Sequence, residues 1–215
     1  MTTQDGIPRI VSVNVGRPRS VRWQGRDVVS GIWKEPVDGS IEGVGVNLDG
    51  DDQADRRVHG GVDKAIYAYA TEDYDWWEPV SGRLGPGTFG ENLTTADIDL
   101  NAASIGDRWQ VGTAVLEVAQ PRQPCFKLGM RMGDAAFPGR FDAAGRPGAY
   151  LRIIEPGRIG AGDPIVVTPA ELPAVTIGDL AGDGFDEQLL RQIAADERVP
   201  DGLRRGAARA LERSH

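Results

Sequence analysis

Polar and apolar residues alternate in Arg9-Ile10-Val11-Ser12-Val13-Asn14-Val15, a β-branched run that reads as a half-buried strand ended by Gly16. Shorter strand patterns follow at residues 31–34 and 41–46. Lys64-Ala65-Ile66-Tyr67-Ala68-Tyr69-Ala70 reads as a buried strand with both tyrosines on one face. Residues 113–120 and 150–154 carry the same signal. Ile105-Gly106-Asp107-Arg108-Trp109-Gln110-Val111 is echoed by Ala161-Gly162-Asp163-Pro164-Ile165-Val166-Val167, each a tight Gly-Asp turn entering a strand. Before residue 169 the clearest helix is short: Thr71 is its expected N-cap, Glu72 and Asp73 suit its positive end, and Pro79 is expected to stop it. About eight short strands with turn signals predict a mainly β fold closed, or nearly closed, into a barrel with a few short helices.

The pattern changes at residues 169–173. Thr176 with Asp179 forms a capping box, Asp186 caps a helix striped by Leu189, Leu190 and Ile193, and Pro200-Asp201 open a third with Leu203, Ala207 and Leu211. The expected organisation is a β-barrel domain over residues 1–168 and a three-helix segment over 169–215, packed on the barrel or on a partner. Residues 133–148 fit none of these patterns.

Composition narrows the function. The 215 residues carry a net charge of -8, which opposes a general nucleic-acid binder. The arginines of the last helix, Arg204, Arg205, Arg209 and Arg213, therefore read as a solvated face. With one cysteine and two histidines, the chain cannot build a Cys/His zinc site or an iron–sulfur cluster. The single cysteine and the lack of a secretory pattern or apolar span predict a cytoplasmic protein without a membrane segment.

Three segments carry chemistry. In Gln120-Pro121-Arg122-Gln123-Pro124-Cys125-Phe126-Lys127-Leu128, two prolines stiffen a loop that aims the thiol, with Arg122 and Lys127 nearby in sequence. A metal on Cys125 must take most of its other ligands from a small molecule. In Gln53-Ala54-Asp55-Arg56-Arg57-Val58-His59-Gly60-Gly61-Val62-Asp63-Lys64, the glycines allow close backbone approach, and Lys64 can meet a phosphate as a point charge. In Gly87-Thr88-Phe89-Gly90-Glu91-Asn92-Leu93-Thr94, Glu91 and Asn92 offer the hydrogen bonds a polar heterocycle requires. The literal G-x-G-x-x-G at residues 85–90 follows no strand and precedes no helix, so a dinucleotide fold is rejected. No flavin or nicotinamide motif is legible, and electrons for any redox reaction must come from outside.

Together with Val13-Asn14-Val15-Gly16, these segments resemble, in order and spacing, the MOSC domain, and the helical trio resembles its stand-alone YiiM-like branch. The resemblance implies a β-rich barrel that binds a pyranopterin molybdenum cofactor, with Cys125 as thiolate ligand to the metal and catalytic residue. It also implies a cofactor pocket lined by Asn14, Gln53, His59, Lys64, Glu91, Asn92 and Arg122. The implied activity is reduction of N-hydroxylated compounds, of hydroxylaminopurine or amidoxime type, with electrons from an external redox protein. The alternative it implies is a sulfur carrier or cofactor-binding module with a persulfide on Cys125.

Overall fold

The computed structural model describes residues 6–52, 60–172, 174–182 and 185–213. Gln53 and His59 lie outside the described residues. The first strand is β1 (Arg9–Val15), followed by a hairpin of β2 (Arg19–Trp23) and β3 (Arg26–Ser30). Short strands β4 (Glu35–Pro36), β5 (Ser40–Val44) and β6 (Asn47–Leu48) come next. A 3₁₀ turn over Val62–Lys64 leads into β7 (Ile66–Ala70), α1 (Thr71–Ser81) and β8 (Leu93–Ala96). Then come β9 (Arg108–Val111), β10 (Ala114–Pro121), α2 (Phe126–Met132) and α3 (Phe137–Ala143). The chain continues through β11 (Ala149–Glu155), β12 (Gly157–Gly160) and β13 (Ile165–Thr168) to α4 (Ile177–Ala181), α5 (Glu187–Ala195) and α6 (Asp201–Arg213).

The mainly β barrel is not what forms. Helix accounts for 28% and strand for 33%, so the fold is mixed. Its main sheet has eight strands in the order β13-β9-β10-β11-β7-β8-β1-β4, with smaller β12-β5-β6 and β2-β3 sheets beside it. The main sheet curls without closing. Its β13 end touches β1 through the isolated bridge Arg9–Pro164, with Ile10 donating to the Asp163 carbonyl at 2.9 Å, Gly162 to that of Ile10 at 2.8 Å and Ile165 to that of Pro8 at 2.7 Å. Neighbouring strands in the main sheet run antiparallel except β7 and β8, a parallel pair that needs, and has, a helical crossover in α1. The two Gly-Asp turns behave as their echo predicts: Gly106 and Gly162 take φ of 92° and 90°, and the strands that follow pair with each other.

Alternation along β7 divides the interior in two. Ile66, Ala68 and Ala70 face an aliphatic core with Leu116, Leu151 and Trp109, whereas Tyr67 and Tyr69 face an aromatic core with Tyr74, Trp77, Phe89, Phe137 and Phe141. The unplaced stretch 133–148 supplies α3, whose Phe137 and Phe141, one helical turn apart, fill that second core. The C-terminal helices belong to the first. Val175, Ile177, Leu190, Ile193 and Ala207 are buried in it, and Arg152 donates to the Arg198 carbonyl at 2.9 Å. The expected caps at Thr176 and Asp186 are present, the former as a complete capping box.

Several local expectations fail. Residues 31–34 are irregular, with only Glu35 and Pro36 paired beyond them. Thr71 is the first residue of α1 rather than its cap, and the helix runs past Pro79 to Ser81. A proline so near the C-terminus removes a single bond from a turn that is already ending. The β2-β3 hairpin, closed by Gln24 and Gly25 at positive φ, was carried by no alternation signal. Among the described residues no helix is long and apolar enough to cross a membrane.

Candidate functional site

β10 ends at Pro121, and the next four residues turn across the aromatic core before α2 begins. Arg122 is buried there. Its guanidinium donates to the Phe89 carbonyl and lies 4.9 Å from the Tyr67 ring centre and 5.7 Å from that of Phe141. Burial works against its charge, but the nearby Tyr67, Tyr150 and Cys125 outweigh this and hold the guanidinium's pKa above its ordinary value. With Arg122 fixed, Cys125 occupies the N-cap position of α2, extended at φ −135°, ψ 173°, and its thiol is half-buried.

Cys125 borders a small cleft of about 90 Å³ that gathers residues from distant parts of the chain. Lys64 comes from the 3₁₀ turn before β7, Asn92 from the residue before β8, and Arg122 and Lys127 from either side of the cysteine. Asp63, beside Lys64, is anchored by Arg152 Nε at 2.6 Å, and its carbonyl accepts from Gln120 Nε2 at 3.2 Å. Of the predicted site residues, then, Lys64, Asn92, Arg122 and Cys125 share one cleft.

Asn14 and Glu91 do not line it; they brace its wall. Asn14 donates to Thr94 Oγ1 at 3.1 Å and accepts from Ser12 at 2.7 Å. Glu91 is fully buried, and its Oε1 accepts from the Tyr74 hydroxyl at 2.5 Å, the Gly87 amide at 2.6 Å and Thr94 at 3.0 Å. Its Oε2 has no partner among the described residues. Burial pushes the carboxyl above its ordinary pKa despite those bonds. Gly90 shows why the neighbouring residue is glycine. Its φ is 79°, and a Cβ would stand 2.8 Å from Ile32 at the cleft edge.

The sequence reading missed Lys34 and Asp51. Lys34 lines the cleft, only 7% exposed, and its Nζ meets Asp51 Oδ2 at 2.5 Å. The same carboxylate oxygen accepts from Asn92 Nδ2 at 2.9 Å, while Oδ1 accepts from the Gly16 amide at 2.9 Å. One buried carboxylate thus sets a lysine and an amide against the cleft and ties them to the end of β1. Burial lowers the Lys34 pKa; Asp51 opposes the shift and the positive charge of Arg122 adds to it. Lys34 sits in a segment read as an ordinary strand, and Asp51 in an aspartate-rich loop, so neither stood out. Tyr67 and Tyr150, read as core, also reach the cleft.

Four cationic side chains and a thiol around one cleft, with Asp52 as the acidic residue on its wall, suit an anionic ligand that also carries a soft-metal centre. Among the described residues no group of three or more His, Cys, Asp and Glu is placed to hold a metal ion.

The MOSC domain profile matches residues 55–166. The uncharacterized protein YflK of Bacillus subtilis is 38% identical over 154 residues, 71% of this chain and 70% of that protein. A protein named reductase from Gibberella moniliformis is 32% identical over 177 residues, 80% of this chain but 31% of the larger protein. The crystal structure of YiiM from Geobacillus stearothermophilus superposes with a TM-score of 0.77 at 30% identity, covering 95% of this chain and 99% of that one. With these relatives and this cleft, the chain belongs to the MOSC domain family, as a YiiM-like member.

Proposed function

We propose that this protein binds a pyranopterin molybdenum cofactor and reduces N-hydroxylated compounds, with electrons delivered by an external redox protein. The observation that carries the reading is the meeting of Cys125 with Lys34, Lys64, Arg122 and Lys127 around one cleft. The donor set fits such a group. The protein contributes one soft thiolate, the pterin's dithiolene contributes the rest, and the cations neutralise the cofactor's phosphate. Family membership supports the cofactor, and the reductase name of the Gibberella relative supports the redox class.

The overall reaction is R–NH–OH + 2e⁻ + 2H⁺ → R–NH₂ + H₂O. When bound, the cofactor supplies the two-electron centre at which the N–O bond breaks. The chain's own residues do the rest. Cys125 Sγ would hold the metal, and Arg122, locked by the Phe89 carbonyl and the aromatic rings, keeps a fixed positive charge three residues away in the same loop. Asn92 and Lys34, both held by Asp51, present N–H donors whose orientation is set before any ligand arrives.

The test is molybdenum and pterin content of protein made in a host that synthesises the cofactor, followed by dye-driven turnover of an amidoxime. Near-stoichiometric metal with turnover is expected. Cys125→Ala should lose the turnover and keep a melting temperature close to wild type, because a half-buried thiol contributes only about 1 kcal/mol to stability. A persulfide mass adduct on metal-free wild type would instead favour sulfur transfer. NADH alone should drive almost no turnover.

A further inference from the structure

The β2-β3 hairpin stands apart from the rest of the fold. It pairs with no other strand, and among the described residues no hydrogen bond ties residues 20–29 to anything outside it. Its base is at the cleft. Ser30, which closes β3, lines the cleft with Gly31 and Ile32, and Arg19 stands opposite Ser30 in the pairing. The Arg19 guanidinium lies 4.4 Å from the ring centre of Trp33, which separates the cleft residues Ile32 and Lys34. Burial, and after it the positive charge of Arg19, lowers the pKa of Arg131 on α2, the helix that begins beside Cys125. From that base the hairpin runs to its Gln24-Gly25 turn about 15 Å away, a strand of five residues at about 3.3 Å each.

Its charge is opposite to that of the chain. Residues 17–30 hold four arginines and one aspartate, a net +3, so the remaining residues carry -11 of the total -8. Arg22 is matched by Asp27 across the strands at 3.2 Å, whereas Arg17, Arg19 and Arg26 meet no carboxylate among the described residues. One face of the hairpin sets Arg19, Val21 and Trp23 opposite Ser30, Val28 and Arg26. Val21, Trp23 and Val28 are half-buried yet belong to neither core, and the two exposed arginines bracket them. An isolated two-stranded hairpin is marginal in water, and an apolar centre with a tryptophan and flanking arginines is the composition of a protein interface. The valines at its centre and the acidity of the whole chain favour a protein over a nucleic acid. At the cleft itself, Phe126 follows Cys125 directly and is 54% exposed.

We infer that the β2-β3 hairpin is the docking arm for an acidic electron-transfer protein, whose carboxylates meet Arg17, Arg19 and Arg26 while its apolar patch covers Val21, Trp23 and Val28. That the partner donates electrons rests on the reductase reading above; the docking face does not. The position suits the reaction, because a protein seated at the hairpin's base reaches the edge of the cleft that Cys125 borders. Long-range attraction draws an acidic partner to a cationic arm, and the acidic remainder of the molecule turns it away from wrong orientations.

The probe is flavodoxin, a small acidic flavoprotein, with molybdenum-loaded protein and an amidoxime as acceptor. Two flavodoxin hydroquinones each give one electron and leave as semiquinones, and two protons from solvent complete the reduction to amidine and water. Arg19→Glu/Arg26→Glu should lower flavodoxin-driven kcat/KM at low salt about tenfold, and leave turnover driven by reduced viologen within about twofold. Salt at about 0.5 M should bring wild type down toward the variant. Calorimetric titration of metal-free protein with flavodoxin should show the same loss of affinity, a readout that needs no turnover. Flavodoxin-driven turnover indifferent to the double variant, an equal fall with viologen, or no flavodoxin binding by wild type would overturn the docking face. A wild-type dimer in sedimentation that the variant dissolves would give the face to a second copy instead. Tighter binding of a single-stranded oligonucleotide, abolished by the same variant, would give it to nucleic acid. Salt-sensitive flavodoxin binding without viologen-driven turnover would support the docking face while counting against the reductase reading.

Discussion

The two cores of this molecule are built on opposite faces of the same strand and carry opposite kinds of cost. On the face of Ile66 and Ala68, the interior is aliphatic, filled by the curled sheet and the C-terminal helices, and Asp107 at its margin is a rare buried charge. On the face of Tyr67 and Tyr69, aromatic rings pack around Arg122, and Lys34, Glu91, Asn92 and Asn14 are buried close by. Burying such groups costs free energy unless each finds partners, and the partners here are mutual: Asp51 for Lys34 and Asn92, Tyr74 for Glu91, the Phe89 carbonyl for Arg122. The aliphatic side makes the fold stable; the aromatic side accepts a less stable arrangement in order to hold charges still beside a thiol.

Removing residues 174–213 attacks the first core and should have the largest effect. Val175, Ile177, Leu190, Ile193 and Ala207 leave together. Single large-to-small changes at aliphatic positions such as Ile177, Leu190 and Ile193 cost about 2–5 kcal/mol, so their joint loss is comparable with the roughly 5–15 kcal/mol that holds a domain folded. Calorimetry should show no cooperative transition. A truncated protein that melts near wild type would mean that the helices are a separable appendage. Arg122→Met attacks the second core while keeping most of its volume. It should lower stability by about 1–3 kcal/mol through the unpaired Phe89 carbonyl, and weaken phosphate binding in the cleft several-fold. Unchanged phosphate affinity would remove Arg122 from the site.

The smallest effect is the most specific. The Glu91 carboxyl has its pKa raised by burial, so the folded state keeps this proton to higher pH than the unfolded chain does. Its stabilising share is complete below the ordinary value of 4.5 and is lost as pH rises through the shifted one. Glu91→Gln, neutral throughout, should flatten the decline in stability across that window. An equal slope in both proteins, measured by urea unfolding at several pH values, would show that Glu91 is charged in the fold.

The same division explains what the sequence made legible. Period-two alternation and glycine turns announce strands such as β1 and the β9-β13 pair, because one face of each is uniformly buried. Capping at Thr176 and Asp186 is local chemistry, readable without tertiary knowledge. Sheet closure is not local. Whether the sheet's ends meet depends on twist and on what fills the interior, and the helices that fill it came after the strands. At the site, cysteine and proline punctuation pointed to the loop at residues 121–125, whereas Lys34 and Asp51 join the cleft only through a pairing between irregular segments. Residues 133–148 looked patternless because α3 is short and presents just two phenylalanines.

The central claim is that Cys125 binds the metal in a cleft whose walls bind everything else. X-ray absorption at the molybdenum edge, on cofactor-loaded wild type and Cys125→Ala, tests it most directly. One fewer sulfur neighbour at molybdenum is expected in the variant, with pterin content largely retained by the lysine-rich wall. Identical sulfur coordination in the two proteins would contradict it.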